Sequence, residues 1–81
     1  MKEESCTISI RDLGLATALV SCGFVMSDTR RDETGRMHFI FVGTDELDHA
    51  VNDYWADTLD VKARKYFDDI KMLKSRIYGE R

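Results

Sequence analysis

The chain reads as an α+β domain. Its elements run β-α-β-β-α-α, and a three-stranded antiparallel sheet in spatial order 1-3-2 packs with three helices. Three observations predict this. Two β-rich runs, FVMSDTR and RMHFIFV, flank RDETG and form a hairpin ending in Gly35. An earlier alternating run, CTISI, is separated from the hairpin by one helical segment. A right-handed crossover then lays the first two strands parallel, with the third between them. Two later segments repeat apolar residues with the period of a helix.

Each element has its own local signal. In CTISI, Cys6, Ile8 and Ile10 share one side and Thr7 and Ser9 the other. RDLGLATALVSCG is rich in Leu and Ala, opens on Asp12, and has Gly23 placed to stop a helix. Phe39, Ile40, Phe41 and Val42 are apolar on both faces, as expected of a central strand covered on both sides. Gly43-Thr44 breaks that strand. Thr44 is a good N-cap, and Asp45 and Glu46 suit the positive end of a helix. The second helix runs through DELDHAVNDYWA. DTLDV links it to the third, ARKYFDDIKMLKSRIY, which ends near Gly79. Leu59 and Val61 of the linker are candidates for pinning into the core.

Length and composition narrow the function classes. The 81 residues make one small domain over 1–81, with residues 1–5 expected to be a disordered tail. A chain this short buries only about 60–65% of its unfolded surface, so a second copy, a metal or disulfides often supplement the core. Cys6 and Cys22 lie sixteen apart, and the two His and two Cys show no metal-ligand spacing. MKEESCTISI carries acids where a signal peptide needs positive charge. No stretch approaches the roughly 20 apolar residues of a membrane span. A cytoplasmic, reducing location with no membrane partner is expected.

The helix faces carry more information. On the third helix Tyr66, Phe67, Ile70, Leu73, Ile77 and Tyr78 fall within an arc of about 140°, a core-facing stripe. Arg64–Asp68, Lys65–Asp69 and Asp68–Lys71 are spaced to pair along the polar face. Lys74 falls inside the apolar stripe. Its stem lies over the core with the ammonium in water, or it pairs with Asp12 or an acid of the second helix, or it contacts an anion. The second helix presents Leu47, Ala50, Val51, Tyr54 and Trp55 to the core, with Trp55 read as core rather than a stacking platform. The first helix is apolar nearly all round, save for a stripe of small residues, Gly14, Thr17 and Ser21. Either it is the centre of the domain, or a second subunit covers it.

Charge is segregated. Net charge is −3 overall. Residues 62–81 hold seven basic and three acidic side chains, a net +4, and residues 1–61 hold five and twelve, a net −7. Such asymmetry steers a charged partner, or docks the third helix within the fold or in a head-to-tail dimer.

Catalytic patterns are not legible. The five glycines are scattered, Cys22 and Ser75 lack a base at readable spacing, and Asp68-Asp69 point to different sides of their helix. His38 alternates with Ile40 and Val42 and reads as structural. His49 sits among Asp45, Asp48 and Asp53 on a face read as solvated. No enzyme activity, metal or cofactor is expected. Nucleic-acid binding needs a basic patch. Arg30, Arg31 and Arg36 offer one at the hairpin, diluted by Asp32 and Glu33. Lys71, Lys74 and Arg76, with Lys62 and Arg64, offer another, against an overall pI of about 5.2.

RDLGLATAL, FIFVGT, DYW, LDVKARKYF and LKSRIY together resemble a small uncharacterised domain family of short bacterial and phage reading frames. The likeness covers roughly residues 8–78. Asp12-Leu13, Tyr54-Trp55 and Leu73-Lys74-Ser75-Arg76 match its pattern. Ile10 stands where the family has a hydroxyl residue, and Lys62 where it has an N-cap. The resemblance implies a phage or mobile-element accessory protein.

The function expected from sequence is a non-enzymatic protein-interaction module. It forms a homodimer, or binds an unidentified protein, through the first helix and the open sheet face. Gly14, Thr17 and Ser21 are the candidate dimer interface. The alternative is a nucleic-acid-binding accessory protein using Lys71, Lys74, Arg76, Arg30, Arg31 and Arg36.

Overall fold

A computed structural model describes residues 6–79, so the expected tail at residues 1–5 lies outside the described residues. The elements are β1 (Thr7–Ile10), α1 (Leu13–Ser21), β2 (Met26–Arg31), β3 (Met37–Val42), α2 (Asp45–Trp55) and α3 (Ala63–Gly79). Order and topology match the sequence reading: β3 is central, and β1 and β2 both pair with it antiparallel.

Turn and cap chemistry fix the boundaries. Asp12 Oδ1 accepts the Leu15 N–H at 2.9 Å and starts α1; Thr44 Oγ1 accepts the Leu47 N–H at 3.0 Å and starts α2. Gly23, at φ +100°, ends α1 in a Schellman turn, with Gly23 N–H donating to Val20 O and Phe24 N–H to Leu19 O. The hairpin turns through Glu33, Thr34 and Gly35. Gly35 N–H donates to Asp32 O, and Asp32 N–H to Arg36 O, each at 2.9 Å. Near Ser27 the β2–β3 register shifts, and the Ser27 hydroxyl donates to Ile40 O at 3.2 Å.

α2 ends in a second Schellman turn, in which Asp57 N–H donates to Tyr54 O and Thr58 N–H to Asp53 O. Here the left-handed position, φ +64°, is held by Asp57. A non-glycine residue there carries a steric cost of about 1–2 kcal/mol. Asp57→Gly is expected to raise stability by about 0.5–1 kcal/mol, the gain being reduced by the freer unfolded chain. A higher urea midpoint at unchanged slope would show it, and an unmoved midpoint would contradict it.

The core lies on one face of the sheet. Met37, Phe39 and Phe41 of β3 and Ile10 of β1 pack with Leu15, Ala16 and Leu19 of α1, Leu47 and Ala50 of α2, and Leu73 of α3. Five consecutive residues of α1, Leu15 to Leu19, are buried. At 100° per residue they cover every direction round the axis, so α1 is the centre of the domain. The small stripe is occupied within the chain: Thr17 is fully buried, Ser21 Oγ donates to Asp69 Oδ2 of α3 at 2.9 Å, and Tyr66 Oη donates to Gly14 O at 3.4 Å. Within the chain, Gly14, Thr17 and Ser21, read as a candidate dimer interface, are the seat of α3.

Three expectations are corrected. The second face of β3 is only partly covered: Ile40 is buried and His38 half-buried, but Val42 is 46% exposed. Phe67 and Tyr78 of α3 are exposed, because α3 rests chiefly on α1 and only the middle of its apolar arc, Tyr66, Ile70, Leu73 and Ile77, is sheltered. Trp55 is exposed because it is the last residue of α2, where the chain turns away. Leu59 packs against the core as expected.

Candidate functional site

A cleft of about 430 Å³ lies where α2, its linker and α3 converge. Tyr54 and Trp55 come from the last turn of α2, Asp57 from the Schellman turn, Leu59 and Val61 from the linker, and Tyr66 from the first turns of α3. Ala18 of α1 forms the floor. Small residues on α1 make the space. A Cβ on Gly14 would lie 2.7 Å from Tyr54 Oη and 3.4 Å from Tyr66 Oη, so glycine lets both phenols seat over the helix.

The cleft wall is aromatic and its charge is negative. The Tyr54 and Trp55 rings meet edge to face, with centroids 5.0 Å apart and planes at 83°. Trp55 is 63% exposed, so its outer ring face is open to a partner. Burial raises the Tyr54 phenol pKa, and the Asp12 carboxylate and Tyr66 add to it, so Tyr54 stays neutral. Asp57 lines the cleft, and the exposed Asp45, Glu46, Asp48 and Asp53 make the rest of α2 acidic. Beyond Trp55 a shallower depression carries Arg11, Asp12 and Arg36. Among the described residues no group of His, Cys, Asp and Glu is arranged to hold a metal ion.

A second surface runs along the outside of α3. Phe67, Lys71, Lys74 and Tyr78, spaced i, i+4, i+7 and i+11, share one line on the helix. All four are exposed, and Lys71 Nζ stands 4.8 Å from the Phe67 ring centroid. Lys74 reaches solvent. Of the three spaced pairs on α3 only Lys65–Asp69 is formed, and Arg64–Asp68 and Asp68–Lys71 are not.

Of the cationic residues singled out for nucleic acid, Lys71 and Lys74 share one face and the others lie apart from them. Arg76 lies about 160° round α3 from Lys74. Arg30 faces the open side of the sheet, cross-strand from His38. The Arg31 guanidinium donates to Gly35 O at 3.0 Å and Ile77 O at 2.9 Å, tying the hairpin to the last turn of α3. Arg36 sits in the depression beside Arg11.

Sequence reasoning missed one constellation. Ser9 Oγ lies 2.8 Å from His38 Nδ1, and His38 Nε2 lies 2.8 Å from Asp32 Oδ2. A neutral His38 donates through Nε2 to the carboxylate and accepts the Ser9 hydroxyl at Nδ1. Asp32 Oδ1 also accepts from Thr34 N–H, Thr34 Oγ1 and Arg36 N–H. The Thr34 hydroxyl first, then His38 and the two backbone N–H groups, hold the Asp32 carboxyl well below the usual carboxylate range. The DETG turn was the available signal, as an Asp two residues before a Thr is disposed to an Asx turn.

Its pH consequence is directional. With its folded pKa depressed, Asp32 stabilises the hairpin fully above its unfolded value of 3.8, and that contribution fades as pH falls below 3.8 toward the lower folded pKa. Asp32→Ala is expected to lower the melting temperature at neutral pH and to flatten its fall on the acid side. An unchanged acid limb would count against this assignment.

A family model described as a domain of unknown function (DUF5659) matches residues 5–79, nearly the whole chain. No curated protein and no solved structure matches. Among the described residues no helix is long and apolar enough to cross a membrane.

Proposed function

We propose that this chain, which belongs to the DUF5659 family of unknown function, acts as a small non-enzymatic protein-interaction module whose docking surface is the acidic aromatic cleft of Tyr54, Trp55, Asp57 and Tyr66. The observation that carries this reading is the open face of Trp55 over a concavity walled by two tyrosines and an aspartate. Exposed large aromatics beside a pocket are typical anchors of binding. The occupant that fits is a cationic segment of a protein. An Arg or Lys side chain stacks on an aromatic face, and the surrounding carboxylates attract it.

Trp55 is the only tryptophan, so its emission reports on the site directly. Titration with an arginine- and lysine-rich peptide is expected to quench or shift that emission, less so as salt rises. An acidic peptide of equal length is expected to leave it unchanged. Equal responses to both peptides, or none to either, would sink the reading.

A further inference from the structure

We propose that the partner of the cleft is a second copy of this chain, which supplies the Phe67–Lys71–Lys74–Tyr78 stripe of its α3. This rests on the cleft being a docking site for a cationic segment.

The two surfaces are complementary in charge and alike in being unpartnered. The cleft carries Asp57 and adjoins the acidic face of α2, within a stretch of net −7. The stripe presents Lys71 and Lys74, within a stretch of net +4. Each also bears large exposed aromatic surface: Trp55 on one, Phe67 (58% exposed) and Tyr78 (75% exposed) on the other. The chain's own α3 is a basic, aromatic helix face of the kind the cleft would take.

Placement allows a closed assembly. Tyr66 lines the cleft and Phe67, the next residue, begins the stripe, so both surfaces border the first turns of α3. A two-fold axis between them sets each cleft against the other copy's stripe. The same contact is then made twice, and a closed dimer results rather than an open filament. A small domain gains most from such a contact. A nucleic acid on the stripe is the competing occupant, and the overall charge of −3 opposes it.

The test is mass in solution by size-exclusion chromatography with light scattering, on wild type, K71E/K74E and W55A/D57N. Asn keeps the left-handed backbone at position 57 accessible while removing the charge. Wild type is expected at twice 9.4 kDa, dissociating as salt rises. Each variant is expected to be a folded monomer by circular dichroism, its dimer weakened about tenfold or more, which corresponds to one charge-assisted contact of about 1.4 kcal/mol. Mixing the two variants restores one intact cleft and one intact stripe, so a 1:1 heterodimer is expected to return. A wild type that stays monomeric at the highest attainable concentration overturns the proposal, as does a dimer unaffected by both variants. A monomer that binds labelled single-stranded DNA through Lys71 and Lys74 overturns it in favour of nucleic acid. The basic peptide titrated into K71E/K74E separates the two failures. If wild type is monomeric yet Trp55 still responds, the second copy is wrong and the cleft stands. If Trp55 is silent in a folded K71E/K74E monomer, the cleft itself is wrong.

Discussion

Leu73→Ala is expected to cost this domain about 2–5 kcal/mol, most of what a small fold has to lose. Leu73 is the one fully buried residue of α3 and belongs to the core cluster with Leu15 and Leu19 of α1 and Phe39 and Phe41 of the sheet. The neighbours of α3's seat are already small, Gly14, Thr17 and Ser21, so little side-chain volume is available to refill the void. Its other apolar contacts, Tyr66, Ile70 and Ile77, are only half-buried, and its polar ties to the rest of the fold are Ser21 to Asp69 and Arg31 to Ile77 O. Exposed ion pairs contribute about 0–1 kcal/mol each and cannot compensate. The expected result is a urea midpoint lowered to the edge of the folded baseline, with Tyr66 and the cleft disordered together. Leu73→Met, close in volume, is expected to lose less than about 1.5 kcal/mol. Equal losses for Ala and Met would mean that packing volume at this site is not what holds α3.

The element order was legible because each boundary has a local cause. Asp12 and Thr44 cap helices, Gly23 takes a left-handed turn, and the β2–β3 loop needs Gly35. A short range of sequence contains all of that chemistry. What could not be read was which part of a wide apolar arc would be sheltered. Phe67 and Tyr78 share the helical period of Leu73 and Ile77, but period gives direction and not the width of the neighbour. A one-helix neighbour covers the centre of the arc and leaves its edge in water. The small stripe of α1 was correctly seen as a place of close helix approach, and the helix that approaches is the chain's own α3. The cleft was illegible for a related reason. Its walls come from three segments, and its floor, Ala18, shows only as one more apolar residue of α1. Ser9, His38 and Asp32 likewise meet only once β1 pairs with β3 in register, with Ser9 opposite Ile40.

Trp55→Ala is expected to separate binding from folding. A central aromatic anchor contributes about 2–4 kcal/mol when truncated at an interface, roughly 30- to 1,000-fold in Kd. The same change should cost the isolated fold little. Trp55 is mostly in water already, and the contact it loses is the edge-to-face pair with Tyr54, worth about 0.5–1.5 kcal/mol. The measurement is the affinity of a fluorescently labelled basic peptide by anisotropy, beside a urea melt followed by circular dichroism. The expected pattern is a large loss in the first and a small one in the second. Trp55→Phe should recover part of the affinity, since a phenyl face still accepts a guanidinium but with a weaker quadrupole. Asp57→Gly gives the complementary case: it relieves the strained turn and stabilises the fold, yet it removes the carboxylate that lines the cleft, so binding should weaken as the midpoint rises. A Trp55→Ala protein that loses stability as steeply as affinity would identify Trp55 as a packing residue of α2. The unfavourable backbone at Asp57 would then have no binding to set against it.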